Sequence, residues 1–325
     1  MIVEPGDLLE LVDPDLRALA AQSYGSGLTV ETLPAARTPP ATLPAPAPAP
    51  QPAFRRIPGA GDAPDVRLMV IDGTGGREGR PAYVYMHGGG FVAGSLEGST
   101  LMLQAVSAAC RCLVVSVDYR LAPETPFPGA LEDNFAALRW VYDNAASLGV
   151  DRARIAIGGG SAGGGHAAML ALAARRRGEV PICHQHLIYP MLDDRTGSSR
   201  EPSEQVGRYI WTSQANRFGW GALLGHPPGG ATAAEGAVPA REEDLRGLPP
   251  TFIGVGGLDL FIDENIEYAQ RLIAAGVRTE LLVAPGAFHG FDVFAPQAGV
   301  SVRFRAASLA ALSRGLGVAD EGTAA

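Results

Sequence analysis

The sequence predicts an α/β fold with a mostly parallel, eight-stranded sheet flanked by helices. From Phe54 onward, short apolar stretches alternate with amphipathic or alanine-rich stretches, which is the pattern of strands alternating with helices. Strands connected in this way form a parallel sheet with right-handed crossovers. A second observation is the run Gly158–Gly163, where a strand passes directly into a helix through glycines and Ser161. The predicted site is organised around this junction.

The residues before Phe54 are expected to be an appendage to the sheet. Apolar side chains at helical spacing predict one or two short amphipathic helices within residues 6–23, around Pro14. Residues 38–52 contain seven prolines, which predict an extended, semi-rigid polyproline-like tether.

The alternation of strands and helices lapses once, between Pro190 and Pro249. An insertion of about 60 residues in an alternating fold usually has a task, such as covering a site. The predicted strands are 54–57, 66–71, 82–86, 113–117, 155–158, 182–188, 251–255 and 279–283. The predicted core helices are 101–109, 130–145, 162–177, 213–224, 265–275 and 301–316.

Composition excludes some classes of protein. With 325 residues and 46% hydrophobic content, the chain can bury one large core or two modest ones. The net charge is −8, all 26 basic residues are arginine, and no run of like charges suits a phosphate backbone, so nucleic acid is not an expected partner.

The cysteines and the N-terminal residues predict a cytoplasmic location. Cys110 and Cys112 are too close along one strand to pair, and Cys183 is far away, which favours free thiols in a reducing compartment. Residues 1–15 mix acidic residues among leucines, so we expect neither a signal peptide nor insertion into a membrane.

Residues 159–163, Gly-Gly-Ser-Ala-Gly, match the G-x-S-x-G nucleophile elbow, a sharp turn that exposes a serine between a strand and a helix. Glycines are needed there because side chains beside the serine would collide with neighbouring backbone. A plain glycine-rich turn is the simpler alternative. The stretch also fits G-x-G-x-x-G, a dinucleotide-binding pattern, with Glu179 at the spacing of a ribose ligand. Glu179 precedes the next strand instead of following it, which argues against that interpretation.

Four predicted strands are followed by polar residues, at the carboxyl ends where open parallel sheets bind ligands. They are His87 with residues 88–90 after the third strand, Ser161 after the fifth, Asp259 after the seventh and His289 after the eighth. The order serine, acid, histidine and the His-Gly-Gly-Gly loop are typical of an α/β-hydrolase.

The roles follow from acid–base chemistry. A serine hydroxyl needs an imidazole to accept its proton, and the imidazole needs a carboxylate to orient it. We therefore expect Ser161 to be the nucleophile, His289 the base and Asp259 the orienting acid. Backbone N–H groups are expected to form an oxyanion hole for the tetrahedral intermediate: those of Gly88, Gly89 and Ala162.

Other residues compete for these roles. Asp263 lies in the lead-in to a helix, where the helix dipole alone favours an acid, and Asp193 and Asp194 follow the sixth strand, to which some hydrolases move the acid. His87 is expected to brace the glycine loop. The other histidines, two of which alternate on a strand without a third metal ligand, are expected to be structural or exposed: His166, His184, His186 and His226.

The motifs together resemble a bacterial hormone-sensitive-lipase-like esterase of the α/β-hydrolase superfamily. The layout is similar from about Phe54 to Leu316, and residues 12–17 resemble the opening helix of that family. The segments that carry the resemblance are His-Gly-Gly-Gly-Phe at 87–91, Asp-Tyr-Arg-Leu-Ala-Pro-Glu at 118–124, Gly-Gly-Ser-Ala-Gly-Gly at 159–164, Asp259 with Asp263-Glu264, and His-Gly-Phe at 289–291.

The resemblance implies hydrolysis of short- to medium-chain carboxylic esters, with a small-molecule ester as substrate and neither a cofactor nor a metal. It also implies a small helical cap. The expected division is 1–53 as N-terminal cap helices and proline-rich tether, 54–189 as the first part of the core, 190–225 as the cap insertion and 226–325 as the second part of the core. Relatives often form homodimers through an edge strand and the last helix, here residues 279–283 and 301–316.

Two features depart from the family pattern. The family commonly has an acidic residue just before the nucleophile, where this chain has Gly160, so a different pH range or substrate preference is expected. The proline-rich tether is long and repetitive, which leaves the docking of the cap open. The same triad would also serve a lactone or amide hydrolase. A non-catalytic small-molecule receptor on this fold is the alternative from a different class.

Overall fold

The computed structural model describes residues 5–24, 28–38 and 47–318, without the side chains of residues 5–7. Eight strands form one sheet. The strands are β1 (Pro52–Ile57), β2 (Val66–Asp72), β3 (Arg80–Met86), β4 (Leu113–Asp118), β5 (Val150–Gly160), β6 (His184–Ile188), β7 (Thr251–Gly256) and β8 (Thr279–Ala284).

The strand order across the sheet is β1-β2-β4-β3-β5-β6-β7-β8. β2 pairs with β1 and with β4 in the antiparallel direction, and the other neighbouring pairs are parallel. The predicted mostly parallel sheet of eight strands is therefore confirmed. Because the carboxyl ends of parallel strands lie at one edge, the residues that follow β3, β5, β7 and β8 are brought together there.

Helices cover both faces of the sheet. The α-helices of the described ranges are α1 (Pro5–Leu11), α2 (Arg17–Ser23), α3 (Leu33–Arg37), α4 (Thr100–Ala109), α5 (Gly129–Asp143), α6 (Ala162–Arg177), α7 (Ser213–Leu224), α8 (Ile262–Ala274), α9 (Phe291–Phe294) and α10 (Gly299–Gly315). Successive side chains of a strand point to opposite faces. Val84 and Met86 of β3 thus join the apolar cluster under α5, α6 and α8, whereas Tyr83 and Tyr85 join the cluster under α4 and α10.

The structure agrees with the predicted bounds of α6 and α7 and shifts several others. β5 begins at Val150, well before the predicted start, and α8 begins at Ile262. Two short helices, α3 and α9, were not predicted, because a helix of one turn has too few residues for a periodic pattern. Most of the predicted proline-rich tether, residues 39–46, lies outside the described residues.

The N-terminal helices dock on the segment that follows β8. Val12 and Leu16 are buried in one apolar cluster with Phe288 and Phe291. The Asp13 N–H donates to the carbonyl oxygen of Gly286 at 2.9 Å. The chain of α1 and α2 therefore packs beside the loop that carries His289.

His166 of α6 is a buried histidine with no hydrogen-bond partner for either ring nitrogen among the described residues. Its ring packs edge-on against the rings of Phe91 and Tyr119, with centroids 4.9 and 4.6 Å away. Burial, with a smaller contribution from His87, lowers the pKa of His166 from 6.5 to about 3. The folded protein therefore holds this imidazole neutral, in a structural position that agrees with the sequence.

The neutral state of His166 predicts a pH-dependent loss of stability. Its pKa is lower in the folded chain than in the unfolded chain, so the unfolded chain alone takes up the proton as the pH falls from 7 to 5. This uptake removes about 2 kcal/mol from the free energy of unfolding. In His166→Leu, the free energy of unfolding should fall by about 2 kcal/mol less over the same pH interval, as measured by urea unfolding at both pH values. Exposed His226→Gln is the control, and equal losses in His166→Leu and wild type would contradict the prediction.

Candidate active site

Ser161 stands at a sharp turn between β5 and α6. Its backbone has φ 58° and ψ −124°, a strained conformation for a residue with a side chain. A Cβ atom on Gly159 or Gly163 would lie 2.4 or 2.1 Å from the carbonyl oxygen of Met86, the last residue of β3. The junction can approach β3 this closely only with glycine at both positions, so the turn has the geometry that the predicted elbow requires.

Three sequence-predicted residues form one hydrogen-bonded chain. The Ser161 Oγ atom lies 2.9 Å from Nε2 of His289, and Nδ1 of His289 lies 2.8 Å from Oδ2 of Asp259. The other carboxylate oxygen of Asp259 accepts the N–H of Phe261 at 2.9 Å. A carboxylate only accepts hydrogen bonds, so Nδ1 carries the proton and Nε2 is free to accept the serine proton. All three side chains are largely buried, which strengthens their electrostatic contacts.

Aromatic rings enclose the His289 imidazole. Tyr189 and Phe261 lie edge-on to it, with ring centroids 4.8 and 5.1 Å away, and Trp211 lies 6.1 Å away. A Cβ atom on Gly90 would lie 2.2 Å from the Trp211 indole, so this ring spans from the glycine loop towards His289. Sequence analysis did not assign Trp211 to the site. Its place against the site depends on the fold of the insertion, which no local pattern reports.

The loop after β3 lies beside Ser161. A Cβ atom on Gly88 would lie 3.4 Å from Cβ of Ser161 and 3.0 Å from the carbonyl oxygen of Gly160. The N–H groups of Gly88, Gly89 and Ala162 donate to no acceptor within the described part of the chain. They therefore remain available to a substrate oxygen.

His87 braces this loop from beneath. Its Nδ1 lies 2.9 Å from the carbonyl oxygen of Gly88, and its ring stacks on Tyr119 with centroids 4.3 Å apart. The Tyr119 hydroxyl donates to the carbonyl oxygen of His87 at 2.6 Å. Burial lowers the pKa of His87 to about 4, which keeps the ring neutral. These contacts attach His87 and Tyr119 to the glycine loop, and the bracing role of His87 stays a prediction.

Arg37 at the end of α3 joins the N-terminal segment to the same loop. Its guanidinium donates to the carbonyl oxygens of Val92 and Ala122, each at 2.7 Å, and pairs in bidentate fashion with Glu124. Ala122 in turn donates its N–H to the carbonyl oxygen of Phe91 at 3.0 Å. The motif at 118–124 thus supports the glycine loop, and Arg37 is a residue of this region that sequence analysis missed.

The competing acids lie elsewhere. Asp193 pairs with two guanidiniums, those of Arg195 and Arg200, and Asp194 pairs with Arg241. None of the hydrogen bonds or ion pairs found in the described ranges joins either aspartate, or the exposed Asp263, to His289. The acid that reaches the histidine is Asp259.

The remaining candidate residues make their contacts with residues other than Ser161. His186 bonds the Ser308 hydroxyl at 2.9 Å inside the core, beside buried His184, and His226 is exposed. Glu179, the acid of the dinucleotide pattern, pairs with Arg139 at 2.6 Å on the surface. In residues 5–24, 28–38 and 47–318, no three His, Cys, Asp or Glu side chains form a group that could hold a metal ion.

Comparison with known proteins decides the family. A family model described as the alpha/beta hydrolase fold matches residues 83–293. The chain belongs to this family. Carboxylesterase NlhH of Mycobacterium tuberculosis is 36% identical over 286 residues, which are 86% of this chain and 86% of that protein. The resemblance to hormone-sensitive-lipase-like esterases of the α/β-hydrolase superfamily is therefore confirmed.

Solved structures of α/β-hydrolases agree with this placement. A bacterial heroin esterase superposes with a TM-score of 0.83 at 36% identity, covering 95% of this chain and 99% of that one. Esterase LipW from Mycobacterium marinum superposes with a TM-score of 0.81 at 35% identity, covering 94% of this chain and 96% of that one.

Within the described residues, no helix has the length and apolar character needed to cross a bilayer.

The Arg37 contacts predict that substitutions of the two partners of this ion pair lower kcat/KM by different amounts. Arg37→Gln removes the charged donor to two buried carbonyl oxygens and should lower kcat/KM about fivefold. Glu124→Gln keeps those bonds and removes only a partner whose side chain is 63% exposed, so it should change kcat/KM less than twofold. Steady-state hydrolysis of p-nitrophenyl butyrate measures both. Equal losses would show that the ion pair, and not the carbonyl contacts, holds the loop.

Proposed function

We propose that this chain is a serine carboxylesterase that hydrolyses short- to medium-chain acyl esters, with Ser161, His289 and Asp259 as its catalytic triad. The observation that carries the proposal is the unbroken hydrogen-bonded chain from the Ser161 hydroxyl through His289 to Asp259 at a strained elbow. The activity in the name of the similar carboxylesterase NlhH supports the same conclusion.

The reaction follows from this geometry. The Ser161 Oγ atom attacks the ester carbonyl carbon while Nε2 of His289 takes its proton, and Asp259 stabilises the imidazolium that forms. The N–H groups of Gly88, Gly89 and Ala162 stabilise the oxyanion. His289 then protonates the departing alcohol, which leaves an acyl-enzyme on Ser161. Water, deprotonated by His289, attacks this acyl group and releases the acid.

We further propose that residues 1–53 and 190–225 form a cap over the site. The backbone of Tyr24 forms a bridge with that of Tyr209, and their rings lie edge to face at 5.9 Å, so the two segments touch. Leu33 is buried with Val92 of the glycine loop and Ala222 of α7 in one small apolar cluster. Contacts of both segments with each other and with the loop are what a cap over the substrate requires.

A cytoplasmic location and a homodimer complete the proposal. Cys110, Cys112 and Cys183 are free thiols, as in proteins of a reducing compartment. β8 is an edge strand with exposed Val283, and it offers unpaired backbone groups to a second copy together with α10. Sedimentation velocity distinguishes a dimer from a monomer directly.

Hydrolysis of a p-nitrophenyl ester series from acetate to palmitate tests the proposed activity. The wild type should show an optimum at short to medium acyl chains, and kcat/KM should fall in acid, as general-base catalysis requires an unprotonated base. Ser161→Ala should lose roughly four to six orders of magnitude in kcat. Activity retained in Ser161→Ala would contradict the proposal.

Lactone and anilide substrates in the same assay separate the related activities. Preference for a lactone or an amide over every ester would assign a different substrate class to the same proposed triad. Ligand binding without turnover of any of these substrates would instead favour a receptor.

A further inference from the structure

A second carboxylate lies close behind His289, on the short helix α9. Asp292 accepts a hydrogen bond from the Tyr189 hydroxyl, with Oη and Oδ1 2.8 Å apart. The ring of Tyr189 in turn lies edge-on to the His289 imidazole, with centroids 4.8 Å apart and planes at 65°. The carboxylate is thus linked to the imidazole through one tyrosine, and the proposed triad does not use either residue.

Gly160, just before the nucleophile, leaves room for this arrangement. A Cβ atom on Gly160 would point towards Cε2 and Oη of Tyr189, at 3.6 and 3.9 Å, and towards Oη of Tyr85 at 4.0 Å. A longer side chain would need the volume that the two tyrosine hydroxyls occupy. The space beside the elbow therefore belongs to Tyr189 and Tyr85.

The backbone fixes Tyr189 in this place. Its N–H donates to the carbonyl oxygen of Gly254 at 2.6 Å, and its φ of 35° is unusual for a residue with a side chain. The preceding residue, Ile188, accepts the N–H of Ser161 at 2.9 Å. The ring that contacts His289 is thus positioned by the same sheet edge as the nucleophile.

Burial is the largest influence on the Asp292 carboxyl, and its pKa is raised. The hydroxyl of Tyr189 and the charge of Arg305 act in the opposite direction and reduce this rise without cancelling it. Arg305 of α10 also donates to the backbone carbonyl of Asp292 at 3.0 Å. Tyr189 stays a neutral donor, since burial and then Asp292 raise its pKa well above the usual value. Tyr85 of β3 is the other titratable group that faces Asp292.

We propose that Asp292 and Tyr189 are a positioning pair for His289: Tyr189 holds the imidazole ring, and the charge of Asp292 stabilises the imidazolium of the transition states. Both residues act through His289 and touch no substrate in this account. The inference rests on the proposed function, because only a histidine that gains a proton during catalysis needs this support.

The test uses Asp292→Asn, Tyr189→Phe and the double variant in the full chain, with kcat, KM and pH profiles on p-nitrophenyl butyrate. Asp292→Asn should lower kcat about fivefold with little change in KM, because one charge near the imidazolium is lost. It should also move the acid limb of kcat/KM to lower pH. Tyr189→Phe removes the hydrogen bond to Asp292 but keeps the ring and the carboxylate. Its kcat should therefore fall, and the acid limb of kcat/KM should move less than in Asp292→Asn. The double variant should be no slower than Asp292→Asn, because the two residues act as one unit.

Asp263→Asn is the matched control, since it makes the same chemical change at an exposed aspartate of α8. Its pH profile should coincide with that of the wild type. Additive losses in the double variant, or an acid limb that stays in place while only the melting temperature falls, would overturn the inference. If Asp292→Asn does not fold, Tyr189→Phe alone carries the test through its kcat and pH profile.

Failure of the positioning pair and failure of the proposed function give different results. If the wild type hydrolyses esters and the variants match it, the positioning pair is contradicted and the proposed esterase activity stands. If the wild type turns over no ester, both the proposed function and the positioning pair are contradicted.

Discussion

The close approach of the β5–α6 junction to the end of β3 is the constraint on which the site depends. Gly159 and Gly163 face the carbonyl oxygen of Met86 at distances that exclude a Cβ atom. This contact accompanies the strained turn at Ser161, and it also brings the loop that follows β3 to that residue, so that Gly88 lies beside it. One packing contact thereby places Ser161 and the glycine loop side by side.

Two buried acidic residues close to the site are held by hydrogen bonds. Asp259 is fully buried, and its two oxygens are satisfied by His289 and by the N–H of Phe261. Buried Glu264 of α8 accepts hydrogen bonds from the N–H groups of Leu192 and Asp193, which ties the start of the insertion to the helix that follows Asp259. A buried carboxyl group without hydrogen-bond partners would be costly, so these contacts order Asp259, Glu264 and the chain segments that they touch.

The sequence was enough to predict the mostly parallel sheet, because strands and helices alternate in a local pattern. It also singled out Ser161, Asp259 and His289, which the structure brings into contact, because each lies just after a strand; their catalytic roles stay predictions. It was not enough for contacts between distant elements. Tyr189 and Asp292 are separated by 103 positions, and Arg37 and Glu124 by 87. Their pairing depends on how α3 and α9 pack in three dimensions, and each of these helices is too short to have a periodic pattern that would locate it.

Covalent labelling with a fluorophosphonate tests the central claim most directly, because this reagent needs a nucleophile, a base and an oxyanion site acting together. Intact mass and peptide mapping should place one adduct per chain on Ser161. Asp259→Asn should react far more slowly, and unfolded protein should not react. An adduct on a different serine, or no adduct on the folded wild type, would contradict the assignment of Ser161 as an activated nucleophile.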